Sequence, residues 1–171
     1  AMGSILVARV LPPSGGDTLF AHMGAAYDAL DDDTKAAVEG LQAFHTADHI
    51  YQADGIYAQT DQAGSLRGQD LRTGAVHPVV IRHPQTGRKL LYVNGAFTIN
   101  FIGQTREQSL PLLSKLLDAA VREDNQCRVM WEPGTVAIWD NRTTWHYALN
   151  DYHGHAREMH RITLSGEALA A

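Results

Sequence analysis

A chain of 171 residues, 44% of them apolar, has the length for one domain with a single sizeable core. Fourteen basic residues against nineteen acidic ones leave a net charge of −5 without any Lys/Arg run, which argues against nucleic acid as a partner. No apolar stretch approaches the roughly 20 residues of a membrane span, and the first residues lack the basic, apolar and small-residue order of a signal peptide. The expectation is a soluble, cytoplasmic protein with no membrane partner. The one cysteine, Cys127, excludes an internal disulfide and a multi-cysteine zinc site, and its expected place is a small buried apolar position.

In chain order, Ser4-Ile5-Leu6-Val7-Ala8-Arg9-Val10 predicts a strand, ended by the turn-forming Leu11-Pro12-Pro13-Ser14-Gly15-Gly16. Asp17-Thr18-Leu19-Phe20 predicts a second short strand, and Met23 to Leu30 a helix with Ala26 and Leu30 on one face. Asp31-Asp32-Asp33 supplies the next N-cap, where carboxylates favour the positive end of the helix dipole. Ala37, Val38, Leu41 and Phe44 recur at helical spacing and extend that helix from Thr34 to about Ala47. Residues 52–75, rich in Gly, Gln, Asp and Ser and without periodicity, predict either a mobile lid or plain disorder.

Val76 to Arg82 and Lys89 to Val93 flank Pro84-Gln85-Thr86-Gly87 and predict a hairpin. Thr105 with Gln108 is a capping-box signature for a helix running to about Glu123, with Pro111 inside it. Cys127 to Trp131 and Thr135 to Trp139 are β-rich runs around the turn Glu132-Pro133-Gly134, and Arg157 to Leu164 predicts a final strand. Many short strands with two or three helices predict a mainly β, antiparallel sandwich or barrel with flanking helices, one domain over residues 1–171.

The last third carries the chemistry. Strand alternation puts Arg157, Met159, Arg161 and Thr163 on one face, with the two guanidiniums roughly 13 Å apart, too far for one small carboxylate and suited to two anions. If that face is interior, both charges need fixed anionic partners; if it faces outward, they make ordinary surface pairs. His146 follows an apolar strand and the Asp140-Asn141-Arg142 turn, which places it at a strand end where ligands bind. Two other sets of potential metal donors, His45 with Asp48 and His49 on a helix, and His153 with His155, read more simply as a solvated helix end and a polar loop. Trp131 and Trp139 read mainly as packing.

Trp139-Asp140-Asn141-Arg142-x-x-x-His146, with Arg157 eleven residues later and Arg161 four beyond that, resembles the Fe(II)- and 2-oxoglutarate-dependent dioxygenases of the taurine dioxygenase (TauD/TfdA) family. Gly3-Ser4-Ile5-Leu6, Gly15-Gly16-Asp17-Thr18-Leu19, Ala26-Tyr27-x-Ala29-Leu30, His77-Pro78-Val79-Val80, Leu91-Tyr92-Val93-Asn94 and Met159-His160-Arg161 fall in the family's order. The resemblance implies a double-stranded β-helix, the jelly-roll or cupin-like core. It implies that His146 is the distal histidine of a two-histidine, one-carboxylate Fe(II) site, and that Arg157 and Thr18 hold the far carboxylate of 2-oxoglutarate. It further implies that Arg161 binds the anionic group of a small organic substrate, a sulfonate, sulfate ester or carboxylate, with Tyr51 and Phe97 lining that pocket. Dioxygen would be the other reactant, succinate and CO2 the co-products, and a homo-oligomer the working form.

The family's proximal His-x-Asp has no counterpart in these residues. The match of Gly3-Ser4 to the strand just after that motif leads to the expectation that it precedes residue 1 of an active dioxygenase, the 171 residues alone being inactive. The alternative is a metal-free module of the same fold that binds small anions through Arg157 and Arg161.

Overall fold

The computed structural model describes residues 2–48, 74–167 and 169. Tyr51, His49 and nearly all of the expected 52–75 lid lie outside them. Among the described residues all strand pairings are antiparallel, and no helix is long and apolar enough to cross a membrane.

Two three-stranded sheets carry the chemistry-bearing residues. In the first, β1 (Gly3–Val10) lies between β9 (Val136–Asp140) and β11 (Glu158–Leu164). In the second, β2 (Thr18–His22) lies between β8 (Gln126–Val129) and β10 (Thr144–Ala148). The two sheets meet through rings: Phe20 of β2 lies edge-on to Trp139 of β9, centroids 5.2 Å apart. The runs around Glu132-Pro133-Gly134 therefore do not pair with each other; β8 joins one sheet and β9 the other.

Register decides which side chains look inward. Ser4 pairs with Thr163 and Trp139, and Leu6 with Arg161 and Ala137, so these side chains share one face. Ser4 and Trp139 are buried there. On the opposite face Ile5 lies directly between Ile162 and Ile138, which are 59% and 69% exposed, an apolar row left open to solvent. Arg161 thus belongs to the face shared with the second sheet.

The main hydrophobic core sits in the helical half, with Trp145 of β10 packed against it. Helix α1 (Met23–Asp28) starts at His22, whose Nδ1 accepts from the backbone N–H groups of Gly24 and Ala25, both at 3.0 Å. It buries Met23, Ala26 and Tyr27, with Leu30 just beyond. Helix α3 (Arg106–Ala120) has the expected capping box between Thr105 and Gln108 and contributes Leu113, Leu116 and Ala120. Pro111 is tolerated because the Glu107 carbonyl it leaves without a helical donor is solvent-exposed. Buried Ser109 ties α3 to its neighbour by accepting from the Phe101 N–H at 2.9 Å.

Three sequence expectations need correcting. The helix expected over residues 34–47 is α2 (Asp32–Val38) only. Gly40, at φ 72°, ends it, and Gln42–His45 become β3, paired on one side with β4 (Ala75–Pro78) and on the other with β7 (Thr98–Phe101). Two flanking strands outweigh the helical spacing of Leu41 and Phe44. The expected hairpin is half right: β5 (Val80–Arg82) pairs with β6 (Lys89–Leu91), whereas residues 75–78 join β3. Cys127 is exposed, because β8 is an edge strand with nothing packed over that position.

Candidate active site

The turn between β9 and β10 is locked by its own side chains. Asp140 accepts from the Arg142 N–H at 2.8 Å and its Nε–H at 2.9 Å, and the Asn141 N–H donates to the Met2 carbonyl at 2.8 Å. Arg142 is buried in this clamp, so the Trp-Asp-Asn-Arg motif fixes the direction in which β10 leaves. Three residues into β10's register, His146 stands opposite Phe20. Its ring lies 5.0 Å from Trp139 and 6.3 Å from Phe20.

This packing desolvates the imidazole, and the Arg161 charge acts in the same direction, so the His146 pKa is lowered. Its outer edge remains open to solvent. The neutral imidazole is the form that binds a metal.

Thr18 lies on the same sheet face as Phe20 and, through its partner Ala148, as His146. Such diagonal neighbours are roughly 7–8 Å apart, a span a five-carbon dicarboxylate can bridge. Thr18 is 2% exposed, and its Oγ1 accepts from Trp131 Nε1 at 3.0 Å. With that lone pair occupied, the hydroxyl proton is left to donate. Trp131 is therefore more than packing: it fixes the polarity of Thr18.

Arg157 falls one residue short of β11, in the segment leading into it. Its Nε–H donates to the Gly16 carbonyl at 3.0 Å, two residues from Thr18, and its guanidinium lies 5.9 Å from the Tyr152 ring. Gly15 and Gly16 have φ of 79° and 75°, which glycine adopts without strain, and the Gly16 N–H donates to Asp151 at 2.7 Å, so a left-handed glycine turn is pinned against the arginine. Arg157 Nη2 is buried with no hydrogen-bond partner among the described residues. Such an orphan charge-bearing donor is costly unless an anion meets it.

Arg161 is anchored elsewhere. Its Nη2 donates to Ser4 Oγ at 2.9 Å and its guanidinium sits 5.9 Å from the Trp139 ring. The two arginines thus belong to different anchors, one on the turn before β2 and one on β1, consistent with two separate anions.

The structure brings His146, Thr18, Arg157 and Arg161 to one side of the paired sheets. Phe97 is half-buried in the turn before β7, with its carbonyl accepting from Thr46 N–H at 2.9 Å. Ser4, Gly16 and Asn141 were missed as site-supporting residues by sequence reasoning, since nothing local marks contacts made across more than 130 residues. Of the remaining metal candidates, His45 is on a strand rather than a helix, His49 lies outside the described residues, and His153 and His155 are exposed in a turn.

The residues fit the two implied ligands unequally. A dicarboxylate is matched by the orphaned Arg157 Nη2 and the Thr18 hydroxyl. Iron is offered one neutral nitrogen by His146, and among the described residues no group of three His, Cys, Asp or Glu side chains forms a metal site. The rest of a two-histidine, one-carboxylate set is not among them.

The family model described as taurine catabolism dioxygenase TauD, TfdA family matches residues 1–163. The chain belongs to the TauD/TfdA family. Among TauD/TfdA relatives, an alkylsulfatase of Acinetobacter baylyi is 38% identical over 96% of this chain and 52% of its own length. An alpha-ketoglutarate-dependent sulfate ester dioxygenase of Pseudomonas putida is 38% identical over 96% of this chain and 55% of its own length. The chain thus spans about half the length of the curated relatives it matches. A solved structure of AAD-2 in complex with Mn(II) and N-oxalylglycine superposes with a TM-score of 0.84 at 31% identity, covering 100% of this chain and 65% of that one. A taurine dioxygenase from Burkholderia xenovorans gives 0.80 at 34% identity, over 98% and 53%. These neighbours have the jelly-roll core expected from the sequence, and the paired sheets here are its counterpart.

Proposed function

We propose that this chain supplies the co-substrate and substrate-anion sites of an Fe(II)- and 2-oxoglutarate-dependent dioxygenase that hydroxylates a small anionic substrate, a sulfonate, sulfate ester or carboxylate. The observation that carries the reading is Arg157 Nη2, buried without a partner among the described residues beside the turn that leads to Thr18. Arg157 and Thr18 grip the far carboxylate of 2-oxoglutarate, the arginine through its planar fork and the threonine through its free hydroxyl proton. His146 contributes one nitrogen toward the iron, which, when bound with its full ligand set, supplies dioxygen activation coupled to decarboxylation of the oxo acid. Arg161 takes the anion of the primary substrate and so holds that molecule against His146 and Phe20, where the apolar rings keep water away. The relatives' sulfate-ester and phenoxy-acid names support an anionic substrate. The reading extends to a soluble, cytoplasmic homo-oligomer, tested by fractionation and light scattering.

The test is calorimetric titration of the protein with 2-oxoglutarate and Fe(II) without oxygen, followed by aerobic assay of succinate formation with an alkyl sulfate. Saturable 2-oxoglutarate binding that Arg157→Ala abolishes is the expected result. Unchanged binding in that variant overturns the assignment.

A further inference from the structure

Four side chains, from β1, β9, the β9–β10 turn and β11, form a hydrogen-bond circuit that ends on the Arg161 guanidinium. Trp139 Nε1, a donor only, gives its proton to Asn141 Oδ1 at 2.8 Å, which fixes the orientation of the amide. Asn141 Nδ2 then donates to Ser4 Oγ at 3.1 Å, and the Ser4 hydroxyl donates back to Asn141 Oδ1 at 3.3 Å. With its proton so placed, Ser4 Oγ has a lone pair directed at Arg161 Nη2, 2.9 Å away. Ser4 is 0% exposed, so this geometry is shielded from competing water. The same indole lies 5.9 Å from the guanidinium and 5.0 Å from the His146 ring.

We infer that Ser4 and Asn141 are positioning residues that hold Arg161 as a fixed anion receptor at a set distance from His146. The inference rests on the functional reading above and deepens it. An arginine side chain has many rotamers, and freezing them on binding weakens affinity. Here one guanidinium nitrogen is already tied to a buried hydroxyl. The other N–H groups of Arg161 have no partner among the described residues, so the outward edge is presented ready for the oxygens of a sulfate or carboxylate. Because Trp139 contacts both Arg161 and His146, the circuit also fixes where the carbon next to the anion lies. Ser4 and Asn141 touch neither the anion nor the metal; they act through Arg161 and Trp139.

The experiment titrates hexyl sulfate and, separately, 2-oxoglutarate into the metal-free protein, its Ser4→Ala and Asn141→Asp variants, and an Arg161→Ala control, following tryptophan fluorescence and calorimetry. Trp139 beneath Arg161 makes the fluorescence a local reporter. Ser4→Ala and Asn141→Asp are expected to weaken hexyl sulfate about tenfold with 2-oxoglutarate affinity unchanged, since Arg157 is anchored at Gly16. Asn141→Asp keeps the oxygen that accepts from Trp139 but loses the donor to Ser4, so it covers the case in which Ser4→Ala does not fold. A Ser4→Ala or Asn141→Asp protein that binds hexyl sulfate as the parent does, while Arg161→Ala does not, overturns the positioning role and leaves the functional reading intact. A parent protein that binds neither ligand overturns both. Equal losses for both ligands in the two variants also overturn the inference, because they mark a general structural effect.

Discussion

The Nε–H of Arg157 is bonded to the Gly16 carbonyl at 3.0 Å while its Nη2, on the same guanidinium, is buried with no hydrogen-bond partner among the described residues. One end of a rigid planar group is anchored and the other is left waiting. Arg161 repeats the arrangement with Ser4 as its anchor. Anchoring one nitrogen spares the entropy of arranging the side chain at the moment of binding, and leaving another free preserves the bidentate geometry that a carboxylate or sulfate needs.

Arg157→Ala is therefore expected to weaken 2-oxoglutarate by about 2–5 kcal/mol, thirtyfold to several thousandfold. Arg157→Lys should recover little of this. An ammonium is a point charge and cannot keep both the Gly16 anchor and a two-point grip on the ligand. Calorimetry on the three proteins decides; near-parental affinity in the lysine variant would show that charge alone suffices.

Gly16→Ala reaches the same site through the backbone. At φ 75° any side chain is strained, and a Cβ would come within 3.0 Å of Arg157 Cδ and 3.1 Å of its Nε. The expected outcome is a loss of roughly 1–3 kcal/mol in stability together with weaker 2-oxoglutarate binding. Thermal unfolding and ligand titration read the two effects separately. A stable variant with full affinity would mean that the turn does not position Arg157.

The candidate site residues were more legible in the sequence than the scaffold around them. His146, Arg157 and Arg161 stand out because the roles proposed for them, a metal donor and two anion receptors, call for those residue types at strand-compatible spacing. Their supports do not stand out: Ser4 and Asn141 are 137 residues apart, and only the pairing of β1 with β9 brings them together. The failure at residues 42–45 has the same origin. Leu41 and Phe44 fit a helical repeat, but the segment is a central strand because β4 and β7 lie on either side of it, a nonlocal fact. Local signals succeeded where the physics is local, as in the Thr105–Gln108 capping box and the Asp31 cap.

Phe101 is 0% exposed, at the centre of the cluster formed by α1, α2 and α3 with their strands. Phe101→Ala should cost about 3–5 kcal/mol by leaving a cavity in a packed interior. Because the cluster contains no residue of β1, β9 or β11, the sheet that carries Arg161 and into which Arg157 leads, protein that remains folded should keep its 2-oxoglutarate affinity. Denaturant unfolding measures the first expectation and calorimetry the second; a large loss of affinity in folded protein would show that the two halves are coupled.

Stability should also fall in mild acid because of His45. Its Nδ1 is hydrogen-bonded to the Thr98 hydroxyl at 3.2 Å, and Thr98 Oγ1 also accepts from the Asn94 N–H at 2.8 Å. Its Nε2 is buried without a partner among the described residues, and the rings of His77 and Tyr92 lie 5.4 and 5.8 Å away. Burial, helped by the neighbouring His77, pushes the His45 pKa down to about 4 from 6.5. The folded protein then binds fewer protons than the unfolded chain between those values, so unfolding gains protons and stability drops as pH falls from about 6.5 toward 4. Allowing for partial exposure, the loss is on the order of 1–3 kcal/mol. Urea midpoints measured from pH 7.5 to pH 4 should show a shallower decline in His45→Gln than in the parent, with a residual slope because His77 and His146 are shifted in the same direction. Parallel declines in the two proteins would mean that His45 takes up its proton as easily folded as unfolded.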